Sequence, residues 1–264
     1  MKKEVQDYLE KFVDVCKAIL GDRLVGLYLE GSLAQDDFQA RSDIDIVGVC
    51  SEPLSDEIKN KLVQSVRHSS LPVPADGLEL CIVTADTVKH PSPVPQYELL
   101  FATGLRWEDK SVLSGTMSEL LIYFSICRDK GKALYGPNPA EVFSPVPPAW
   151  ILDPTIEQIQ WHQTKILDGV DDPRGEQAVL NACRAWYFAE EKVMRSKSEG
   201  AKWVLAKEPD NKLVQDALAL RTGERTEPLD GKEIEAFLSR ILKACQDRRD
   251  VEGLRALDSG MLSV

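Results

Sequence analysis

Residues 30–49 read EGSLAQDDFQARSDIDIVGV, and the last eight of them decide the fold. Two carboxylates, Asp43 and Asp45, stand at the mouth of an apolar strand, a short loop after Gly31 and Ser32. On a strand, residues two apart share a face, so Asp43, Asp45 and Val47 point one way while Ile44, Ile46 and Gly48 point the other. The Cα atoms of the two acids would lie about 6.6 Å apart. At that spacing they repel each other in a low dielectric, and Asp is disfavoured in strands, so something has to neutralise them. The economical partner is a divalent cation: an all-oxygen carboxylate set suits Mg²⁺, which one or two carboxylates hold together with substrate phosphates.

The flanking segments place this pair on a sheet. Val5, Tyr8, Leu9, Phe12, Val15, Cys16, Ile19 and Leu20 recur at helical spacing, with Gly21 as a stop. LVGLYLEGS reads as a strand over 24–29 ending in a Gly-Ser turn, DIDIVGVC as a second strand, and SDEIKNKLVQSVRHS as a helix leading to a third strand, GLELCIVTAD. In that third strand Glu79 interrupts an apolar run from Leu78 to Val83. A lone carboxylate there costs several kcal/mol unless paired or metal-bound. HPSPVPQ makes a loop, and SGTMSELLIYFSICRDKGKALYGP reads as a helix that opens on a Thr116–Glu119 capping box and closes at Gly131. An isolated D-x-D is most simply a pair of solvent-facing strand acids. With Gly31 and Ser32 upstream and Glu79 downstream, the unit reads instead as a phosphate-holding turn beside a metal platform.

FSPVPPAW, with Pro145, Pro147 and Pro148 close together, separates this half from one without a convincing strand. The expected organisation is an α/β (α+β) domain over 1–146, with a mixed sheet and flanking helices, and an all-helical domain over 147–264. TIEQIQWHQTKIL, EQAVLNACRAWYFAEEKVM, KSEGAKWVLAKE, NKLVQDALALR and KEIEAFLSRILKACQ all show helical periodicity. Ser196 and Glu199 form a capping box, which puts Lys197 in the first turn of a helix, where backbone N–H groups favour an anion and a cation is out of place. Either a bound phosphate accounts for Lys197 or it is a solvated lysine. Arg184 lies amid Ala182, Cys183, Ala185 and Trp186, as a ligand or as a partly buried ion-pair donor.

Bulk properties narrow the function classes. Of 264 residues, 43% are apolar and 28% charged, which suits a globular protein rather than a disordered one. The net charge of −11 argues against a nucleic-acid surface and would steer a cationic partner favourably. No apolar run reaches the length of a membrane span, so a cytoplasmic protein, working as a monomer, is expected. Cys16, Cys50, Cys81, Cys127, Cys183 and Cys245 sit apart in apolar patterns and read as reduced core residues. His68, His90 and His162 are too scattered to read as metal ligands.

The residues also carry a resemblance. LEGSLAQDDFQARSDIDIVGV is similar to the nucleotidyltransferase-superfamily signature: an apolar strand, Gly-Ser, a spacer, then Asp-x-Asp on the next strand and a third acid on a later one. More narrowly, LELCIV, YELLF, LYGP with EVFSPVP, and VLNACRAWYFAEEKVMRSKSEGAKW resemble the bacterial aminoglycoside adenylyltransferases that modify streptomycin and spectinomycin, over most of the chain. By that resemblance Asp43, Asp45 and Glu79 bind Mg²⁺, and Glu79 is also the general base. Gly31, Ser32 and Ser42 belong to the ATP site, and Arg184 and Lys197 reach the triphosphate from the second domain. The implied reaction is attack of a hydroxyl of a small cationic acceptor on the α-phosphorus of ATP, with release of pyrophosphate. The chain departs from the family in its acceptor-reading parts. Gly104 stands at the position of a family tryptophan, with Trp107 nearby, and Arg174 stands where an acid is expected, with Asp171, Asp172 and Glu176 around it. TKILDGVDD has no counterpart of the tryptophan that some members use to hold streptomycin, so spectinomycin is the better fit. Asp171, Asp172 and Glu176 could equally be a solvated loop and cap. The alternatives are transfer of AMP to a protein hydroxyl, and a non-catalytic nucleotide-binding regulator.

Overall fold

Two hydrophobic clusters on opposite faces of one sheet organise the first half of the chain in the computed structural model, which describes residues 2–105, 107–169 and 171–258. The chain divides into two compact units, Met1–Val146 and Pro147–Val264.

In the first unit, α1 (Lys3–Leu20) buries Val5, Tyr8, Leu9, Phe12, Cys16 and Leu20 along its stripe and stops at Gly21, whose φ of 55° suits glycine. The strands are β1 (Leu24–Leu29), β2 (Ile44–Cys50), β3 (Leu78–Thr84), β4 (Gln96–Thr103), β5 (Lys110–Thr116) and β6 (Lys132–Tyr135), and they form one mixed sheet in the order β5-β4-β3-β2-β1-β6. Among the described residues only β2 and β3 pair in parallel; the crossover between them carries α3 (Asp56–Val66), which starts on the Ser55 side chain. A parallel pair needs such a crossover, and this one places the N-terminal ends of two apolar strands side by side.

The face that carries Ile44, Ile46, Leu78, Leu80 and Ile82 packs against α1 and α3. On that side Lys59 is buried and ion-paired to Glu98 at 3.0 Å. The opposite face carries Val47, Val49, Cys81 and Val83 under Phe124 and Cys127 of α5 (Leu120–Lys130), with Phe143 packed edge-on to Tyr28. Three short helices, α2 (Gly31–Ala34), α4 (Ala85–Lys89) and α6 (Pro139–Val142), complete the unit.

One expectation needs correcting. The Thr116–Glu119 capping box does not form: Thr116 is the last residue of β5, and α5 begins at Leu120 with no side-chain cap. YELLF and KALY are strands, the latter pairing with β1 at the sheet edge. All six cysteines are free and buried, as expected.

The second unit is helical throughout: α7 (Pro148–Thr164), α8 (Glu176–Glu191), α9 (Lys197–Lys207), α10 (Lys212–Thr222) and α11 (Gly231–Asp258). The hub is α8, which packs on the other four and buries Val179, Leu180, Ala182, Cys183 and Phe188. The Ser196–Glu199 capping box is present at the start of α9. Gly200 lets α9 approach α8 closely, since a Cβ there would lie 2.8 Å from the backbone of Arg184. Among the described residues no helix is long and apolar enough to cross a membrane.

Candidate active site

Backbone hydrogen bonds bring the signature segment into one place. The Glu30 amide donates to the Asp45 carbonyl at 3.0 Å, so the end of β1 is held against the start of β2. Glu30 then caps α2, its carboxylate accepting from the Gly31 N–H at 2.7 Å. Gly31 has a φ of 59°, and a Cβ built on it would lie 1.8 Å from Asp45 Oδ2. The carboxylate therefore occupies the room that only a glycine leaves.

The loop to Asp43 is closed by Ser42. Its Oγ accepts from the Gln39 N–H at 2.9 Å, and its carbonyl accepts from the Asp76 N–H at 3.2 Å. The Ile44 amide donates to the Gly77 carbonyl at 2.9 Å, which fixes the register of β2 on β3. In that register Asp45 stands opposite Glu79. Asp43, Asp45 and Glu79 each offer a carboxylate oxygen such that all three oxygens lie within 4.8 Å of one another; the aspartates are half-buried and Glu79 is exposed.

This cluster fits a divalent cation. The donors are all carboxylate oxygens, which suit Mg²⁺. The neighbouring Ser32 Oγ is buried and finds no hydrogen-bond partner among the described residues, as expected of a hydroxyl placed for an absent ligand.

Two residues outside the expected site set, Glu30 and Tyr123, belong to this neighbourhood. Glu30 is buried and lines a cavity of about 210 Å³ together with Glu79 and Tyr123. Burial first, then the charges of Glu119, Glu79 and Glu30, hold the Tyr123 phenol protonated well above its usual range. The available signal was weak: a carboxylate ending an apolar strand, and a tyrosine one helical turn after Glu119. Trp107 stands over Gly77, where a Cβ would lie 2.3 Å from its ring, and covers the residue that precedes β3.

Arg184 and Lys197 lie in the second unit. Lys197 Nζ donates to Gln177 Oε1 at 2.7 Å, and Arg184 Nη2 donates to Gln158 Oε1 at 3.1 Å. Both charges act on His162, a buried imidazole whose Nε2 accepts from Asn181 Nδ2 at 2.8 Å, so the two cations share one neighbourhood across α7, α8 and α9. The acids before α8 resolve individually. Asp172 is buried and caps the helix, accepting from the Gly175, Gln177 and Ala178 amides at 3.1, 3.3 and 2.8 Å. Glu176 is ion-paired with Arg174, and Asp171 with Lys165.

Known proteins resemble this chain. Residues 141–244 match the family described as the aminoglycoside adenylyltransferase C-terminal domain. The chain is 26% identical to an aminoglycoside (3'') (9) adenylyltransferase of Shigella flexneri over 218 residues, covering 78% of this chain and 80% of that one. It is 24% identical to a spectinomycin 9-adenylyltransferase of Enterococcus faecalis over 185 residues, 67% of this chain and 71% of the relative. Among solved structures, the enterococcal spectinomycin adenyltransferase with ATP and spectinomycin matches with a TM-score of 0.73 at 20% identity, over 92% of this chain and 99% of that one. The fold is that of a nucleotidyltransferase, and the chain resembles the aminoglycoside adenylyltransferases in both units.

Proposed function

We propose that this nucleotidyltransferase is a Mg²⁺-dependent O-adenylyltransferase that moves AMP from ATP to a hydroxyl of an aminoglycoside or aminocyclitol antibiotic and releases pyrophosphate. The observation that carries the reading is the set of three carboxylate oxygens within 4.8 Å of one another, beside the Gly31 turn. Spectinomycin is favoured over streptomycin, a preference supported by the missing streptomycin-type tryptophan and by the likeness to the enterococcal spectinomycin enzyme.

Asp43, Asp45 and Glu79 would hold the metal. When bound, Mg²⁺ neutralises phosphate oxygens and the charge that develops on the leaving group. Gly31 contributes space rather than a donor, because its N–H already serves Glu30. Ser32 and Ser42 would bond phosphate oxygens, and Arg184 and Lys197 would supply positive charge to the triphosphate. Glu79, the most exposed of the three acids, takes the proton from the acceptor hydroxyl. The oxygen so freed attacks the α-phosphorus in line. One O–P bond forms, the bond to the bridging oxygen breaks, and its electron pair leaves with pyrophosphate.

Incubation with Mg-ATP and a panel of aminoglycosides and aminocyclitols, read by pyrophosphate release and by the mass of the acceptor, tests the reading. A mass gain of one adenylyl group on spectinomycin is the expected result. Transfer to purified proteins with none to small acceptors, or ATP binding without turnover, overturns it.

A further inference from the structure

The acid cluster lies at one end of a row that crosses four strands: Asp45 is opposite Glu79, Glu79 opposite Ala102, and Ala102 opposite Lys110. Directly paired residues project from the same face of a sheet. Gly31 and Ser32 flank the Asp45 end, so the nucleotide side of Glu79 is the β2 side. Within this unit the opposite side, over β4 and β5, is left for the acceptor.

A cavity of about 210 Å³ runs along this row, from Glu30 and Val47 at the β1–β2 end past Glu79 to Leu100, Ala102, Lys110 and Val112 over β4 and β5, and the acceptor side is its β4–β5 part. Ala102 leaves a gap between the two charged residues, and with two ladder spacings between them Lys110 stands roughly 10 Å from Glu79, measured between Cα atoms. The volume is below the roughly 300–1,000 Å³ that encloses a drug-sized ligand, so the cavity takes one ring rather than a whole antibiotic. Leu100, Val112 and Met117 offer that ring an apolar wall, Glu79 meets its hydroxyl, and Lys110 faces whatever is attached beyond it.

We propose that this cavity receives the acceptor ring bearing the reacting hydroxyl, and that Lys110 selects acceptors whose attached part is neutral and oxygen-rich over acceptors that bring a guanidinium there. The inference rests on the adenylyltransferase reading above and names the specificity of the same site. An ammonium donates to carbonyl and hydroxyl oxygens and repels a guanidinium, and an exposed pair of this kind is screened by salt.

The test compares the wild type with Lys110→Ala and Lys110→Glu, using spectinomycin as the neutral-sided acceptor and streptomycin as the guanidinylated one. The ratio of kcat/KM for spectinomycin over streptomycin should fall about tenfold in Lys110→Glu and by less in Lys110→Ala, with the difference shrinking as salt is raised. Calorimetric titration of both antibiotics in the presence of a non-hydrolysable ATP analogue should give the same shift in the ratio of Kd values. A ratio unchanged in both variants, by rate or by Kd, overturns the role of Lys110 and leaves the proposed function standing. A wild type that transfers AMP to neither antibiotic but shows the Lys110-dependent Kd ratio keeps the subsite and overturns the chemistry. Failure to bind either antibiotic overturns both.

Discussion

The Asp45 carboxylate fills the space that a side chain on Gly31 would need, 1.8 Å from where a Cβ would stand. The turn after β1 and the acid on β2 are therefore one construction, and neither can change alone. Gly31→Ala should lower adenylyl transfer by roughly a hundredfold or more. It should also cost about 1–3 kcal/mol of stability, from the displaced carboxylate together with the left-handed backbone. Gly169→Ala, where a Cβ meets nothing within 4 Å, should stay within about 0.5 kcal/mol of the parent. Thermal melts and pyrophosphate release on both variants check this.

Asp45 and Glu79 are ladder partners, so removing one charge relieves repulsion while removing chemistry. Glu79→Gln should lower kcat by about 10²–10⁴-fold with an unchanged or raised melting temperature, the range expected for loss of a general base. Turnover at the parental rate would sink the assignment of Glu79. EDTA should abolish turnover by the parent, and added Mg²⁺ should restore it.

Much of this site was legible because its signals are local. Period-two alternation set Asp43 and Asp45 on one face, and an acid inside an apolar run marked Glu79. The same kind of signal marked the Ser196–Glu199 cap. What escaped depends on register and tertiary placement. Strand β5 has exposed positions at Lys110, Ser111 and Val112 and none of the apolar alternation that betrays a half-buried strand, so its partner-dependent pairing with β4 left no mark in the sequence. Glu30 and Asp172 are buried carboxylates that hydrogen-bond backbone amides; a cap was among the readings left open for Asp172, but the burial of either shows only once the amides around it are in place.

Lys197 donates to Gln177 Oε1, which offers a structural explanation for a lysine in the first turn of α9 and competes with the phosphate-binding one. The two separate in a pair of variants. Lys197→Ala should raise the KM for ATP about tenfold or more with little change in melting temperature, as expected for a lost charge–phosphate contact. Gln177→Ala, which removes the hydrogen bond and keeps the charge, should change that KM by much less. Equal effects of the two variants on KM would assign Lys197 to the scaffold.

His162 gives the second unit a contribution to stability that falls with acid. It is 5% exposed, and burial first, then the charges of Lys197 and Arg184, pull its pKa down from 6.5 to about 3. The folded chain keeps this imidazole neutral where the unfolded chain protonates it. Between 6.5 and about 3 the unfolded state thus binds more protons, and stability falls as pH falls. The contribution is fully present above the unfolded value and declines by up to about 1.4 kcal/mol per pH unit below it. Carboxylates titrate in the same window, so the measurement is a difference: denaturant unfolding of the parent and of His162→Gln between about pH 7 and pH 4. The variant retains a side chain that can bond Asn181 but has no proton to gain. It should begin less stable at neutral pH, because the packed ring is lost, and its stability should then fall less steeply with acid than that of the parent. Parallel curves would show that the His162 imidazole titrates alike in the folded and unfolded chain, and would overturn its burial as a neutral group.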